Sequence, residues 1–119
     1  MVTSVQHLYF YLGLTFLFVH EMDAVRCKEW KIFPGLSQLS NKLGFRLFIG
    51  AHIPLFFILF WGLTGTLKSE FIFWLDIFFI LHFFLHIAYL KHPNNRFTDF
   101  FSWSVISIIG IFGFTDLLF

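Results

Sequence analysis

Apolar residues fill this chain in four long blocks, separated by shorter stretches where polar and turn-forming residues gather. A hydrocarbon core about 30 Å thick takes roughly 20 helical residues to cross. Four segments reach that length: residues 5–25, 42–63, 70–90 and 97–118. Between the first two lies a longer connection with Trp30, Phe33, Pro34-Gly35 and several lysines, the mixture expected of a loop or short helix lying on lipid headgroups. Gly65-Thr66-Leu67-Lys68-Ser69 reads as a tight turn, and Lys91-His92-Pro93-Asn94-Asn95-Arg96 as another. Short connections force antiparallel neighbours. The predicted fold is therefore all-α, an integral membrane up-down four-helix bundle with one domain over residues 1–119.

Composition sharpens the class. With 58% hydrophobic residues, 24% aromatic and only 13% charged, a soluble domain of 119 residues could not hide its apolar surface. No repeat or low-complexity tract divides the chain. The first six residues carry no Lys or Arg, and no small-residue cleavage site follows the first apolar block, so that block is expected to stay as a span. Cys27 is the single cysteine, which excludes an intrachain disulfide.

The net charge of +1 says little, but the placement of the charges says more. Arg26, Lys28, Lys31, Lys42, Arg46, Lys91 and Arg96 fall on one side of the predicted bundle, and Lys68 alone on the other. By the positive-inside rule, loops 26–41 and 91–96 are cytoplasmic and both termini extracytoplasmic. The basic residues are thus a topology signal and give no reason to expect nucleic-acid binding.

Depth along the helices places the intramembrane polar groups. His20, Glu21 and Asp23 lie in the last turns of span one, roughly 3 to 8 Å from its cytoplasmic end. His52 lies about 15 Å in from the same side, and His86 and His82 about 6 to 12 Å. Arg46, Asp99 and Ser102 enter at similar levels. Four of the six histidines therefore converge on one half of the bundle. His82 and His86 are spaced i, i+4, and His20 and Asp23 are spaced i, i+3, so each pair shares a helix face. Imidazoles with a carboxylate suit Zn, Fe or Mn, and three histidines with one acid suit Zn best. Pro54 frees the Gly50 carbonyl beside His52, while Gly50 and Ala51 permit close helix approach.

Each feature also has a plainer reading. His82 and His86 could serve as interhelical hydrogen bonds alone. Glu21 faces a different direction from His20, as a general base or as a partner of Arg46. Glu29 and Trp30 read most simply as an interfacial anchor, although a loop folding back would bring Glu29 over the histidines. Asp76 is expected to be hydrogen-bonded or protonated inside the bundle, and Asp116 to snorkel at the outer end. Ser107, Gly110 and Gly113 form a packing stripe. Trp61, Trp74 and Trp103 read as belt aromatics, and Cys27 as a bystander rather than a reactive thiol.

The segments His20-Glu21-Met22-Asp23-Ala24, Glu29-Trp30, Phe33-Pro34-Gly35, Ala51-His52-x-Pro54 and His82-x-x-x-His86 together resemble a family of small bacterial four-helix membrane proteins of unknown function. Its hallmark is a His-Glu-x-Asp-Ala segment followed by Glu-Trp, and the resemblance extends over nearly the whole chain. It implies a bacterial inner-membrane location and no established activity. A more distant similarity is to membrane proteins named for a His-x-x-Glu-Glu motif. There His20, Asp23 and Ala24 take the matching positions, so the second acid is absent and no function is carried across.

Three functional readings follow from the residues. The first is a Zn-dependent hydrolase of a lipid or other amphipathic substrate, with ligands among His20, Asp23, His52, His82 and His86 and with Glu21 as general base. One of those candidates is then expected to lie outside the coordination sphere, because catalytic zinc keeps an open position. The second is a haem-binding electron-transfer protein using His52 with His82 or His86. The third is a non-catalytic transporter or partner subunit, with a homo-oligomer compatible with so small a chain.

Overall fold

The computed structural model describes residues 6–119, so residue 5 of the first predicted span lies outside the described residues. Four helices carry the chain: α1 (Leu8–Arg26), α2 (Asn41–Thr64), α3 (Lys68–Ala88) and α4 (Phe100–Leu118), with no strand among the described residues. All four are long and apolar enough to cross a membrane. Their 19 to 24 residues correspond to about 28 to 36 Å at 1.5 Å per residue. A short 3-10 turn, Glu29–Ile32, follows α1.

The boundaries have local causes. Ser40 caps α2, its hydroxyl accepting from the Leu43 N–H at 3.2 Å. Asp99 caps α4 in the same way, accepting from the Ser102 N–H at 2.9 Å, and that bond holds its carboxyl below the usual range. This cap explains why α4 starts three residues later than the predicted 97. Lys28 adopts a left-handed φ of 52°, reversing the chain immediately after α1.

Three helices form the packed body. α4 lies along both α1 and α3, and the core between them gathers Phe10, Leu14, Leu17, Ile72, Phe79, Val105 and Ile109. Phe79 is its centre. The ring stacks on Phe10 with centroids 5.6 Å apart, between glycines of the two neighbouring helices. A Cβ at Gly113 would stand 2.7 Å from the Phe79 Cβ and 2.9 Å from the Asp76 carbonyl oxygen; one at Gly13 would stand 3.0 Å from the Phe79 ring. Small residues thus let the α3 backbone and its large aromatic approach closely, as the predicted stripe at Gly110 and Gly113 required.

α2 stands apart. Only Gly44, Phe48 and Leu59 of its 24 residues are buried. It touches α1 through side chains such as Phe18 on Phe56, 5.4 Å between ring centroids. The close approach expected at Gly50 is not made, since a Cβ there would meet nothing within 4 Å.

Two further expectations change. Trp30 is no headgroup anchor: it is 2% exposed, and its indole fills the space that a Gly44 side chain would occupy. Asp116 does not snorkel. Its side chain is buried against Asp76, with one oxygen 3.4 Å from the His7 Nδ1.

Candidate metal centre

The polar end of the three-helix body is built from α1 and α3. His20 is fully buried on α1, and His82 and His86 lie one above the other on α3. The Nε2 atoms of His20 and His82 are 3.1 Å apart, and those of His82 and His86 are 3.2 Å apart. The 3-10 turn closes over them, placing one Glu29 carboxylate oxygen 3.5 Å from the Nε2 of His20 and 3.5 Å from that of His86. All four donor atoms lie within 4.8 Å of one another. Phe97 stacks beside His20 at 5.3 Å and meets His86 edge-on at 4.8 Å, sealing the cluster from the α4 side.

Chemistry favours a cation at that common point. A neutral imidazole carries one N–H, so like Nε2 atoms in contact require alternating tautomers, whereas a cation accepts every lone pair. Zinc-to-nitrogen bonds of about 2.0 to 2.1 Å in a tetrahedron separate the ligand atoms by roughly 3.3 Å. The four separations between adjacent donors, 3.1 to 3.5 Å, lie near that value, and the whole set fits within 4.8 Å. The Nδ1 atoms of His20 and His82 have no protein partner, so packing rather than hydrogen bonding holds these two rings.

Two of the residues expected here are placed elsewhere. Asp23 turns toward α4: its carboxylate accepts from Arg26 Nε at 2.7 Å and from the Ser102 hydroxyl at 2.5 Å, tying the end of α1 to the start of α4. Sharing a helix face with His20 did not fix where its short side chain would bond. His52 lies at a suitable depth, but α2 places it outside the cluster of His20, His82, His86 and Glu29. Its Nδ1 is 2.7 Å from the Phe48 carbonyl and its Nε2 is 2.5 Å from Glu21. A carbonyl can only accept, so Nδ1 donates to it; the contact between Nε2 and the Glu21 oxygen then contains a proton supplied by one of the two groups. Glu21 therefore pairs with His52 and not with Arg46.

Glu29 is the member that the sequence pointed to least directly. Its position follows from Trp30, the next residue, whose large ring needs a buried seat and finds one over Gly44 in the first turn of α2. That match between an unplaced tryptophan and a side-chain-free helix start is the signal that would have found it.

Two cavities meet at the Glu21–His52 pair. One, of about 330 Å³, is lined by Glu21 and His52 on one side and by Glu29, His82 and His86 on the other. The second, of about 540 Å³, runs between α1 and α2 and is walled by Phe18, Met22, Ile53, Phe56 and Phe60. Cys27 lies beyond both, buried at the end of α1; burial, with the Asp23 charge adding to it, pushes its thiol up to about 11. That is unlike the depressed value of a reactive thiol.

Comparison with curated proteins and with solved structures finds no match to the chain. A family of unknown function, DUF6713, matches residues 6–119, and the chain that builds this His-and-Glu cluster belongs to that family.

Proposed function

We propose that the protein is an integral membrane, zinc-dependent hydrolase acting on a lipid or similar amphipathic substrate. The observation that carries this reading is the convergence of His20, His82, His86 and Glu29 on one buried point that opens onto the same cavity as Glu21. Three imidazoles on packed helices hold the ion. Glu29, on a short turn rather than a long helix, would supply the fourth donor. When bound, zinc would supply Lewis-acid chemistry and activate a water at neutral pH.

The chain's own groups do the rest. Hydrolysis adds a hydroxyl to the electrophilic centre of the substrate and a hydrogen to the leaving oxygen. Glu21, held in place by His52, faces the cavity and carries the proton between those two positions. The apolar cavity between α1 and α2 takes the hydrocarbon part of the substrate, which reaches it sideways from the bilayer. In this setting the basic loops 26–41 and 91–96 face the cytoplasm, in keeping with their excess of Lys and Arg. Haem held by His52 with His82 or His86 fits the arrangement less well, because the His52 Nε2 is taken up by Glu21 while those of His82 and His86 face one another and His20.

Elemental analysis of the protein purified in mild detergent tests the reading. About one zinc per chain is expected, lost in His82→Ala, together with release of fatty acid from phospholipid or glyceride micelles that Glu21→Gln abolishes. Metal-free wild-type protein sinks the proposal; zinc without turnover on any amphipathic ester removes the hydrolase and leaves the ion.

A further inference from the structure

At the same end of the molecule, on ground that the metal reading does not use, lies a third cavity of about 240 Å³. It is lined by Lys28, Lys31, Ser37, Asn41, Asn94 and Arg96, with no carboxylate among them. Among the described residues, none of its three cations takes part in an ion pair. Three like charges around one hollow repel one another unless an anion sits between them.

The hollow is built by chain elements that converge from far apart in sequence. The left-handed turn at Lys28 brings the 3-10 segment back under α1. Asn94, in the connection between α3 and α4, donates through its side-chain amide to the Lys31 carbonyl at 3.1 Å. Lys31 in turn donates one of its three ammonium hydrogens to the Leu39 carbonyl at 3.0 Å, which fixes the side chain and leaves two hydrogens free. Ser37, Asn41 and Asn94 add neutral hydrogen-bonding groups. Guanidinium, ammonium, hydroxyl and amide groups around one small space match the oxygens of a phosphate.

Position selects the source of that phosphate. Lys28, Lys31, Asn94 and Arg96 all belong to connections, just beyond the ends of the long apolar helices. In a bilayer that level is occupied by headgroups. Phe100 and Phe101, four and five residues after Arg96, are 89% and 59% exposed and offer apolar surface to acyl chains at the same end. We infer that Lys28, Lys31 and Arg96 form a binding site for the phosphate of an anionic membrane phospholipid. The inference rests on the proposed membrane setting and is independent of the zinc and hydrolase readings.

Recovery of the protein in the membrane fraction, with extraction by detergent alone, checks the setting first. Detergent-purified protein is then titrated with phosphatidylglycerol, phosphatidylcholine or inorganic phosphate while thermal unfolding is followed. Phosphatidylglycerol is expected to raise Tm by about 5 °C, with little change from the other two. K28Q/K31Q/R96Q, read against its own lipid-free Tm, is expected to lose the response, while K28R/K31R/R96K retains it. Should the triple variant fold poorly, R96Q alone serves, read by native mass spectrometry as loss of one co-purified anionic lipid per chain. An equal shift with phosphatidylcholine, an equal shift with inorganic phosphate alone, or an undiminished response in K28Q/K31Q/R96Q overturns the proposal.

Discussion

The body formed by α1, α3 and α4 and the helix α2 are made from the same kinds of residue, yet they differ in how much of each is buried. In the body, Phe79 is wedged between Gly13 and Gly113, and no methyl group could be added at either glycine without displacing a neighbour. On α2 the same test divides the helix: a Cβ at Gly44 or Gly62, toward its two ends, would run into the ring of Trp30 or Phe71, whereas one at Gly50, between them, meets open space. All three imidazoles of the proposed metal centre belong to the packed body, where helix positions are fixed. The hydrogen-bonded Glu21–His52 pair bridges to the open middle of α2. Ligand geometry tolerates little error, so the packed body is where the proposed metal centre has its support.

Mutations at the two halves of the molecule sharpen this contrast. The largest difference is expected in metal content: His52→Ala should keep about one zinc per chain and lose most hydrolytic turnover, unlike His82→Ala, whose metal is lost outright. Zinc analysis beside a fatty-acid release assay reads both, and loss of zinc from His52→Ala would place α2 inside the metal centre. Next in size is a pair of glycine substitutions. Gly113→Ala should lower stability by about 1 to 3 kcal/mol through overpacking against Phe79. Gly50→Ala should be neutral or stabilising by up to about 1 kcal/mol, since it only improves helix propensity. Unfolding in mixed detergent micelles measures the two side by side, and equal losses would erase the distinction between the regions.

The smallest effect concerns Cys27, under the seam between α1 and the 3-10 turn. An acid whose value is raised stays protonated over a wider range, so the reactive thiolate becomes abundant only as pH approaches about 11. Alkylation of the native protein should be slow at pH 7 to 8, climb steeply above pH 10, and become fast at neutral pH only after unfolding. Rapid labelling of folded protein would mean that this seam opens.

Much of this was legible in the residue pattern, for identifiable reasons. Span length and hydropathy depend on local composition, so all four helices emerge within a few residues of their predicted limits. The spacing of His82 and His86 is a property of one helix, and depth alone brings His20 to their level. Rotation and distance between helices are different matters. Depth could not tell that Asp23 would turn to Arg26 and Ser102, nor that α2 would hold His52 back beside Glu21. The position of Glu29 depends on a tryptophan finding a glycine 14 positions further along the chain, a fit between surfaces that no periodicity encodes. The pairing of Asp116 with Asp76 is likewise a meeting of two helices at one level.

The stacked rings of Phe10 and Phe79 have one more effect. They and their buried aliphatic neighbours form a dry partition, with Asp76, Asp116 and His7 beyond it on one side and the imidazoles on the other. In the proposed membrane setting, such an apolar layer would separate the two polar ends of the bundle. Under that proposal, proton exchange at the histidines would be expected to occur from the side they face, and the two polar ends would titrate independently.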